Sequence, residues 1–194
     1  MSIKDITVVI TTFKSKKKIK KCLNSIDRQS KVLLIENSND SSIKESIEKE
    51  FSNVECILAG RNIGYGSANN IGLKKVTTKY ALILNPDATL HPSALENFIR
   101  TTEKISEFAI MAPYIQEKKN SNDKNYLKNI SPVSVENVKG FAMFLNLPKF
   151  KDIGFFDEIF FFYFEEIDLC KRVVDHGKKI YLVPDIKIDH EGGV

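Results

Sequence analysis

A chain of 194 residues can bury one sizeable core but hardly two, and its net charge of +4 suits anionic ligands without demanding nucleic acid. No stretch reaches the roughly eighteen apolar residues of a membrane span, and residues 1–5 lack the long apolar segment of a secretory signal. Cys22, Cys56 and Cys170 are odd in number and far apart, so they suggest buried free thiols in a reducing cytosol rather than a zinc site or disulfide framework.

Strand-like and helix-like segments alternate along the first half. Residues 6–10 read as a strand, and Ile19, Cys22, Leu23 and Ile26 then recur at helical spacing. Residues 32–35 are a second strand, 41–51 an amphipathic helix and 54–58 a third strand. A short helix is expected over 68–76, then a fourth strand over 80–84. Pro92 should open the next helix, and 108–112 a fifth strand. This βαβα rhythm predicts an α/β fold, a parallel sheet with helices on both faces. The rhythm stops near Gln116, and the polar stretch 116–131 reads as a surface loop. Beyond it come a strand over 138–145, a short helix over 148–153 and an aromatic run over 155–164, mostly core by default, though part of it could wall an acceptor pocket. A helix over 165–176 should end at Gly177, and a strand over 180–183 follows.

Ligands of an open parallel sheet bind outside the carboxyl ends of its strands. The polar residues just past each strand should therefore share a crevice. These are Thr11, Thr12 and Phe13; Glu36, Asn37 and Ser38; Arg61, Asn62, Gly64 and Gly66; and Asn85 with Asp87. The Asn85-Pro86-Asp87 turn places an amide oxygen and a carboxylate two residues apart, a pair able to hold a hard divalent cation against a diphosphate. Asn62 to Gly72 is rich in Gly and Asn, including Asn69, and leads into a helix whose N-terminal N–H groups could face an anion. It is no dinucleotide fingerprint, because the first βα turn has no glycine.

Glu165, Glu166 and Asp168 open the last helix. A plain reading is available: acids favour a helix N-terminus, and Asp168 can pair with Arg172 one turn on. The other reading is a general base for a sugar hydroxyl. Glu165 and Asp168 share a face and Glu166 points about 100° away, so spacing leaves the choice among them open. His190, after the last strand-like segment, is either a surface residue or a third metal ligand. Six lysines between 14 and 21 form a solvated helix face, or a contact for anionic lipid or a phosphorylated acceptor.

The chain resembles the family 2 glycosyltransferases of the GT-A fold, in their rhamnosyltransferase-like group. The resemblance rests on Val8-Val9-Ile10-Thr11-Thr12-Phe13, Leu34-Ile35-Glu36-Asn37-Ser38, Asn62-Ile63-Gly64-Tyr65-Gly66 and Leu84-Asn85-Pro86-Asp87. It continues in Lys139-Gly140-Phe141-Ala142-Met143, Gly154-Phe155-Phe156-Asp157-Glu158, Tyr163-Phe164-Glu165-Glu166-Ile167-Asp168 and His190. It implies one GT-A domain over 1–194, Rossmann-like and mostly parallel, with a nucleotide-sugar half (1–115) and a smaller mixed acceptor half (116–194). Thr11, Thr12, Glu36 and Arg61 would line the nucleoside pocket, while Phe13, Asn37, Asn62, Gly64, Asn69 and Asn85 lie along the same donor site. Asp87 and Asn85 would stand at the metal-binding DXD position with His190 completing a Mn²⁺ or Mg²⁺ site. The second acid, Glu166, would be the base.

The departures are Thr12 for a common proline, Glu36 for a usual Asp, Asn85 where many relatives have Asp, and Glu166 for a usual Asp. The last adds a methylene and shifts the base by roughly an ångström. Relatives usually continue past His190 with helices that shape the acceptor site or touch the membrane. This chain stops four residues later, which reads as a shortened chain or a minimal enzyme. The implied activity is inverting, metal-dependent transfer of a sugar from a nucleotide-diphosphate donor (dTDP-rhamnose or a UDP-hexose). The acceptor is a glycan or lipid-linked hydroxyl in bacterial surface polysaccharide synthesis, in the cytoplasm or at its membrane face. The rivals are a catalytically incomplete nucleotide-sugar-binding module and a sugar nucleotidyltransferase. The latter would want a glycine-rich loop after the first strand, which Thr11-Thr12-Phe13-Lys14-Ser15 does not supply.

Overall fold

The computed structural model describes residues 2–114 and 131–191, so nearly all of the expected 116–131 loop lies outside the described residues. Its elements in chain order begin with a 3-10 turn (Ile3–Asp5), β1 (Ile6–Thr12), α1 (Lys16–Asn24), β2 (Lys31–Glu36), α2 (Ser41–Glu50), β3 (Val54–Leu58), α3 (Tyr65–Leu73) and β4 (Tyr80–Leu84). Then come β5 (Ala88–Leu90), α4 (Ala94–Lys104), β6 (Ile110–Pro113), β7 (Val133–Val135) and β8 (Ala142–Asn146). A 3-10 turn (Leu147–Phe150), α5 (Glu165–Asp175), β9 (Ile180–Val183) and β10 (Ile188–His190) complete the chain.

The main sheet runs in the order β3-β2-β1-β4-β8-β6-β9-β7. Its first four strands are parallel, β8 is antiparallel to both neighbours, β6 and β9 are parallel, and β7 closes the edge antiparallel. Strand order reverses between β1 and β4, because β2 and β3 lie to one side of β1 and β4 to the other. That reversal opens a crevice at the carboxyl ends of β1 and β4.

Both faces are covered, as near-continuous apolar strands require. Val8 and Ile10 point to one side with Ile19, Cys22 and Leu23 of α1, Ile43 and Ile47 of α2, and Leu95 and Phe98 of α4. Val9 points to the other with Leu73 of α3 and Leu169, Cys170 and Val173 of α5. All three thiols are free and buried. Helix α3 is built of small residues because it lies close on the sheet. A Cβ on Gly72 would come within 2.5 Å of the Val9 side chain.

Several boundaries differ from expectation. Helix α3 begins three residues earlier than the apolar period suggested, because Gly64 at φ 87° turns the chain straight into it. Helix α4 starts at Ala94 rather than Pro92, since Pro92 and Ser93 form the entering turn. The helix expected over 148–153 is a 3-10 turn that ends at Phe150. Strand β8 starts at Ala142, so the apolar residues before it are approach rather than ladder. Three-residue strands β5 and β7 carry too short a pattern to be read from sequence. Gly177 terminates α5 as expected, with φ 67° and its N–H on the Val174 carbonyl at 2.8 Å.

Candidate active site

The turn after β4 points Asp87 into the crevice. Strand β10 pairs with β5 so that His190 stands opposite Ala88, the neighbour of Asp87. His190 Nε2 thereby lies 3.3 Å from Asp87 Oδ1 and 3.5 Å from the Asn85 amide nitrogen. The imidazole stacks on Phe141 with ring centroids 4.5 Å apart, which fixes its plane. A carboxylate and an imidazole side by side are a donor pair that would suit a divalent cation such as Mn²⁺. Among the described residues no cluster of three or more His, Cys, Asp or Glu gathers into a metal cage. A divalent ion held by one carboxylate and one imidazole would leave its remaining positions to diphosphate and water, as hard cations at phosphate sites do. Lys18 adds a cation to the rim, 3.8 Å from Asp87 Oδ2 and 3.7 Å from Glu191.

Asn85 is turned a different way. Its Oδ1 accepts from the Tyr65 hydroxyl at 2.8 Å, and that hydroxyl also lies 3.0 Å from the Gly140 carbonyl. Glu166 packs on Gly140, whose added Cβ would meet the Glu166 side chain at 3.3 Å. Glu166 Oε2 is shielded and has no hydrogen-bond partner. The three acids therefore separate by environment. Asp168 is bonded to Arg172 Nε at 2.8 Å, and Arg172 in turn holds the Ile153 and Phe155 carbonyls. Glu165 is 5% exposed, and burial, with Glu166 beside it, raises its pKa above the ordinary carboxylate range. Glu165 Oε2 and Glu166 Oε2 are both shielded and without a partner, but Glu166 is the one that packs on Gly140, next to the Phe141 carbonyl that holds the Asn85 N–H.

The donor-side residues divide in the same manner. Glu36 has no exposed surface; Oε2 accepts from the Asp40 N–H at 2.5 Å and Oε1 from the Ser38 N–H at 3.1 Å. Its carboxylate shapes the turn after β2. Asn37 and Asn62 clamp the glycine loop: the Asn37 amide donates to Asn62 Oδ1 at 3.0 Å and to the Gly64 carbonyl at 3.2 Å. The Asn69 amide donates back to the Tyr65 carbonyl at 3.1 Å, leaving its Oδ1 buried without a partner. The Thr11 and Thr12 hydroxyls, at the end of β1, are also buried and unpartnered. Buried polar atoms normally find partners, so these three oxygens stand out within the protein. Phe13 and Arg61 are exposed at its rim.

Two expectations are corrected here. The first N–H of α3 is not free for an anion, because Tyr65 N donates to the Phe161 carbonyl at 3.0 Å. The aromatic run is not mostly core: Phe156 is buried, whereas Phe161, Phe162, Tyr163 and Phe164 are 56–65% exposed. Helix α3 pins the loop through Asn70, which bonds both the N–H and the carbonyl of Phe156. Tyr163 and Phe164 then take positive φ, turning their rings outward just before the acids.

The sequence from residue 7 to 170 matches the family described as glycosyl transferase family 2. The chain belongs to that family. It is 24% identical over 190 residues to the low-salt glycan biosynthesis hexosyltransferase Agl10 of Haloferax volcanii, covering 87% of this chain and 61% of that protein. It is 26% identical over 206 residues to rhamnosyltransferase WbbL of Escherichia coli, covering 90% and 77%. The mannosyltransferase PcManGT from Pyrobaculum calidifontis, in complex with GDP-Man and Mn²⁺, superposes with a TM-score of 0.76 at 14% identity, over 93% of this chain and 55% of that one. TarS 1-349 of S. aureus with UDP-GlcNAc gives 0.73 at 15% identity, over 97% and 59%. The fold is therefore GT-A, as the family resemblance implied. No helix among the described residues is long and apolar enough to cross a membrane.

Within this family 2 domain, two polar residues beside the site were not singled out from sequence. Tyr65 was hidden inside a glycine-rich loop, where an aromatic residue looks like filler. Lys18 was one lysine among six on a helix face, and only the packing of α1 against β5 singles it out.

Proposed function

We propose that this family 2 domain is an inverting, metal-dependent glycosyltransferase that moves a sugar from a nucleotide-diphosphate donor to an acceptor hydroxyl. One observation carries the reading. The Asp87–His190 pair is linked through Asn85, Tyr65 and Gly140 to Glu166, whose Oε2 has no partner. Donor and acceptor chemistry need those two functions at opposite ends of a single site.

The proposed roles follow from the surroundings of each residue. Thr11 and Thr12, at the end of β1, and Asn69 on α3 would line the nucleoside pocket, with the exposed Arg61 and Phe13 beside it. Glu36, Asn37, Asn62 and Gly64 shape the loops that edge the pocket. Asp87 and His190 would hold Mn²⁺ or Mg²⁺, whose charge offsets that developing on the leaving diphosphate. Glu166 takes the proton of the acceptor hydroxyl as it attacks the anomeric carbon from the face away from the diphosphate, which inverts that centre. Glu165 and Asp168 serve the helix and the loop. The donor is dTDP-rhamnose or a UDP-hexose, and the acceptor a glycan or lipid-linked hydroxyl of a bacterial surface polysaccharide. The whole of 1–194 acts as one unit, its lysine-rich α1 giving peripheral contact with an anionic membrane face.

The test is donor turnover. Incubation with nucleotide sugars and Mn²⁺ should release nucleoside diphosphate slowly without acceptor and faster with one, and Glu166→Gln should abolish the faster rate. Nucleotide binding without turnover on any donor would instead favour a binding module.

A further inference from the structure

The roles above leave Tyr65 without a task, yet it sits between every part of the site. Its backbone is anchored at both ends: the N–H donates to the Phe161 carbonyl at 3.0 Å, and the carbonyl accepts from the Asn69 amide at 3.1 Å. Its ring packs edge-on to Phe156, centroids 6.3 Å apart. A ring needed only for packing would be served by phenylalanine. Here the hydroxyl's one proton lies between two acceptors from different segments, Asn85 Oδ1 just after β4 at 2.8 Å and the Gly140 carbonyl just before β8 at 3.0 Å.

Those acceptors belong to the two halves of the reaction. Asn85 opens the Asn85-Pro86-Asp87 turn, and its amide nitrogen faces His190 Nε2 at 3.5 Å. The Tyr65 hydroxyl thereby links the Asn85 side chain to the Gly140 segment. The Asn85 N–H is itself bonded to the Phe141 carbonyl at 2.8 Å, next to Gly140. Gly140 is the surface on which Glu166 rests, and a Cβ there would crowd the Glu166 Cβ at 3.3 Å.

We propose that Tyr65 is a positioning residue whose hydroxyl ties the Asp87–His190 turn to the Gly140 seat of Glu166, setting the separation between diphosphate and base. The inference rests on the proposed function, because it takes those two groups as the poles of the reaction. An error of about 1 Å in such a separation is enough to cost roughly a hundredfold in rate.

The experiment is a double-mutant cycle on the whole chain with Tyr65→Phe and Asn85→Ala. Calorimetry measures UDP, dTDP and GDP binding with and without Mn²⁺, and steady-state kinetics separate kcat from KM. Tyr65→Phe should weaken Mn²⁺-dependent nucleotide binding about three- to tenfold, with kcat falling by a larger factor than KM rises. Adding it to Asn85→Ala should cost little more in binding, since the partner is already gone. Unchanged affinity and kcat, or losses that add in full, would overturn the inference while leaving the function intact. A wild-type chain that binds none of the three with Mn²⁺ would overturn both. Should Tyr65→Phe fail to fold, 3-fluorotyrosine at position 65 gives a second reading. Its fluorine resonance should shift when Mn²⁺ and the bound nucleotide are added, and a resonance that stays put would equally overturn the role.

Discussion

His190 Nε2 lies 3.3 Å from Asp87 Oδ1, although one residue ends β10 and the other follows β4. The pairing of β10 with β5 creates this contact. Asp87→Ala or His190→Ala should each weaken Mn²⁺-dependent nucleotide binding by more than about tenfold, as loss of one of two protein ligands implies. Affinity in the absence of metal should hardly move. Calorimetry with and without EDTA checks both, and Mn²⁺-dependent affinity that is unchanged in both variants removes the proposed metal site.

The acids of α5 give a sharper contrast. Glu166→Gln should lower transfer by about a hundredfold or more while donor affinity stays within twofold. Asp168→Asn should instead cost about 1 kcal/mol of stability, because it releases Arg172 from the loop it holds. Single-turnover rates and thermal melts separate the two. A dead Asp168→Asn enzyme beside an active Glu166→Gln enzyme would reverse the assignment.

The strands that frame the crevice were legible because β1, β2 and β4 are buried on both faces and so read as unbroken apolar runs. Polar residues at their carboxyl ends followed from topology alone. What the sequence could not carry was the direction in which each polar group points. Glu36 and Asp87 both follow buried strands, but one carboxylate caps its own turn and the other faces His190. Phe161 to Phe164 look like core by composition, yet all four are exposed, Tyr163 and Phe164 at positive φ.

Those exposed rings stand immediately before the acids, where an acceptor sugar would approach. Phe162→Ser or Tyr163→Ser should raise the acceptor KM about fivefold or more with the donor KM unchanged, by loss of ring faces to pack against. Initial rates at varied acceptor concentration test this. An acceptor KM that is indifferent to both changes would show that the aromatic strip serves something other than the acceptor.

Glu165 offers a pH signature. Burial raises its folded pKa above the ordinary 4.5. Below 4.5 the carboxyl is protonated in folded and unfolded chains alike, and burying it costs little. Between 4.5 and the raised value the folded state binds more protons than the unfolded one, so stability falls as pH rises, and above that window the full cost of the buried charge persists. Glu165→Gln does not titrate. Its melting temperature should therefore exceed that of the wild type at neutral pH, with the difference shrinking toward zero near pH 4. Melts across pH 4 to 8 measure the difference, in which groups common to both chains cancel. A constant offset, or one that widens on acidification, would contradict the burial argument.

Gly64 is the position where the crevice tolerates no side chain. Its φ of 87° disfavours any residue with a Cβ, and an added Cβ would press into the Phe161 carbonyl. That carbonyl is bonded to Tyr65 N, so a push there moves Tyr65 and the aromatic loop together. Gly64→Ala should cost about 1–3 kcal/mol from backbone strain and overpacking. It should also weaken Mn²⁺-dependent nucleotide binding, since the displaced Tyr65 no longer holds Asn85. Gly60→Ala is the internal control. It too has positive φ, 81°, but an added Cβ meets nothing within 4 Å, so it should share the stability loss in part and leave binding alone. Equal effects of the two substitutions on binding would mean that strain in general, rather than pressure on the Phe161–Tyr65 contact, disturbs the site.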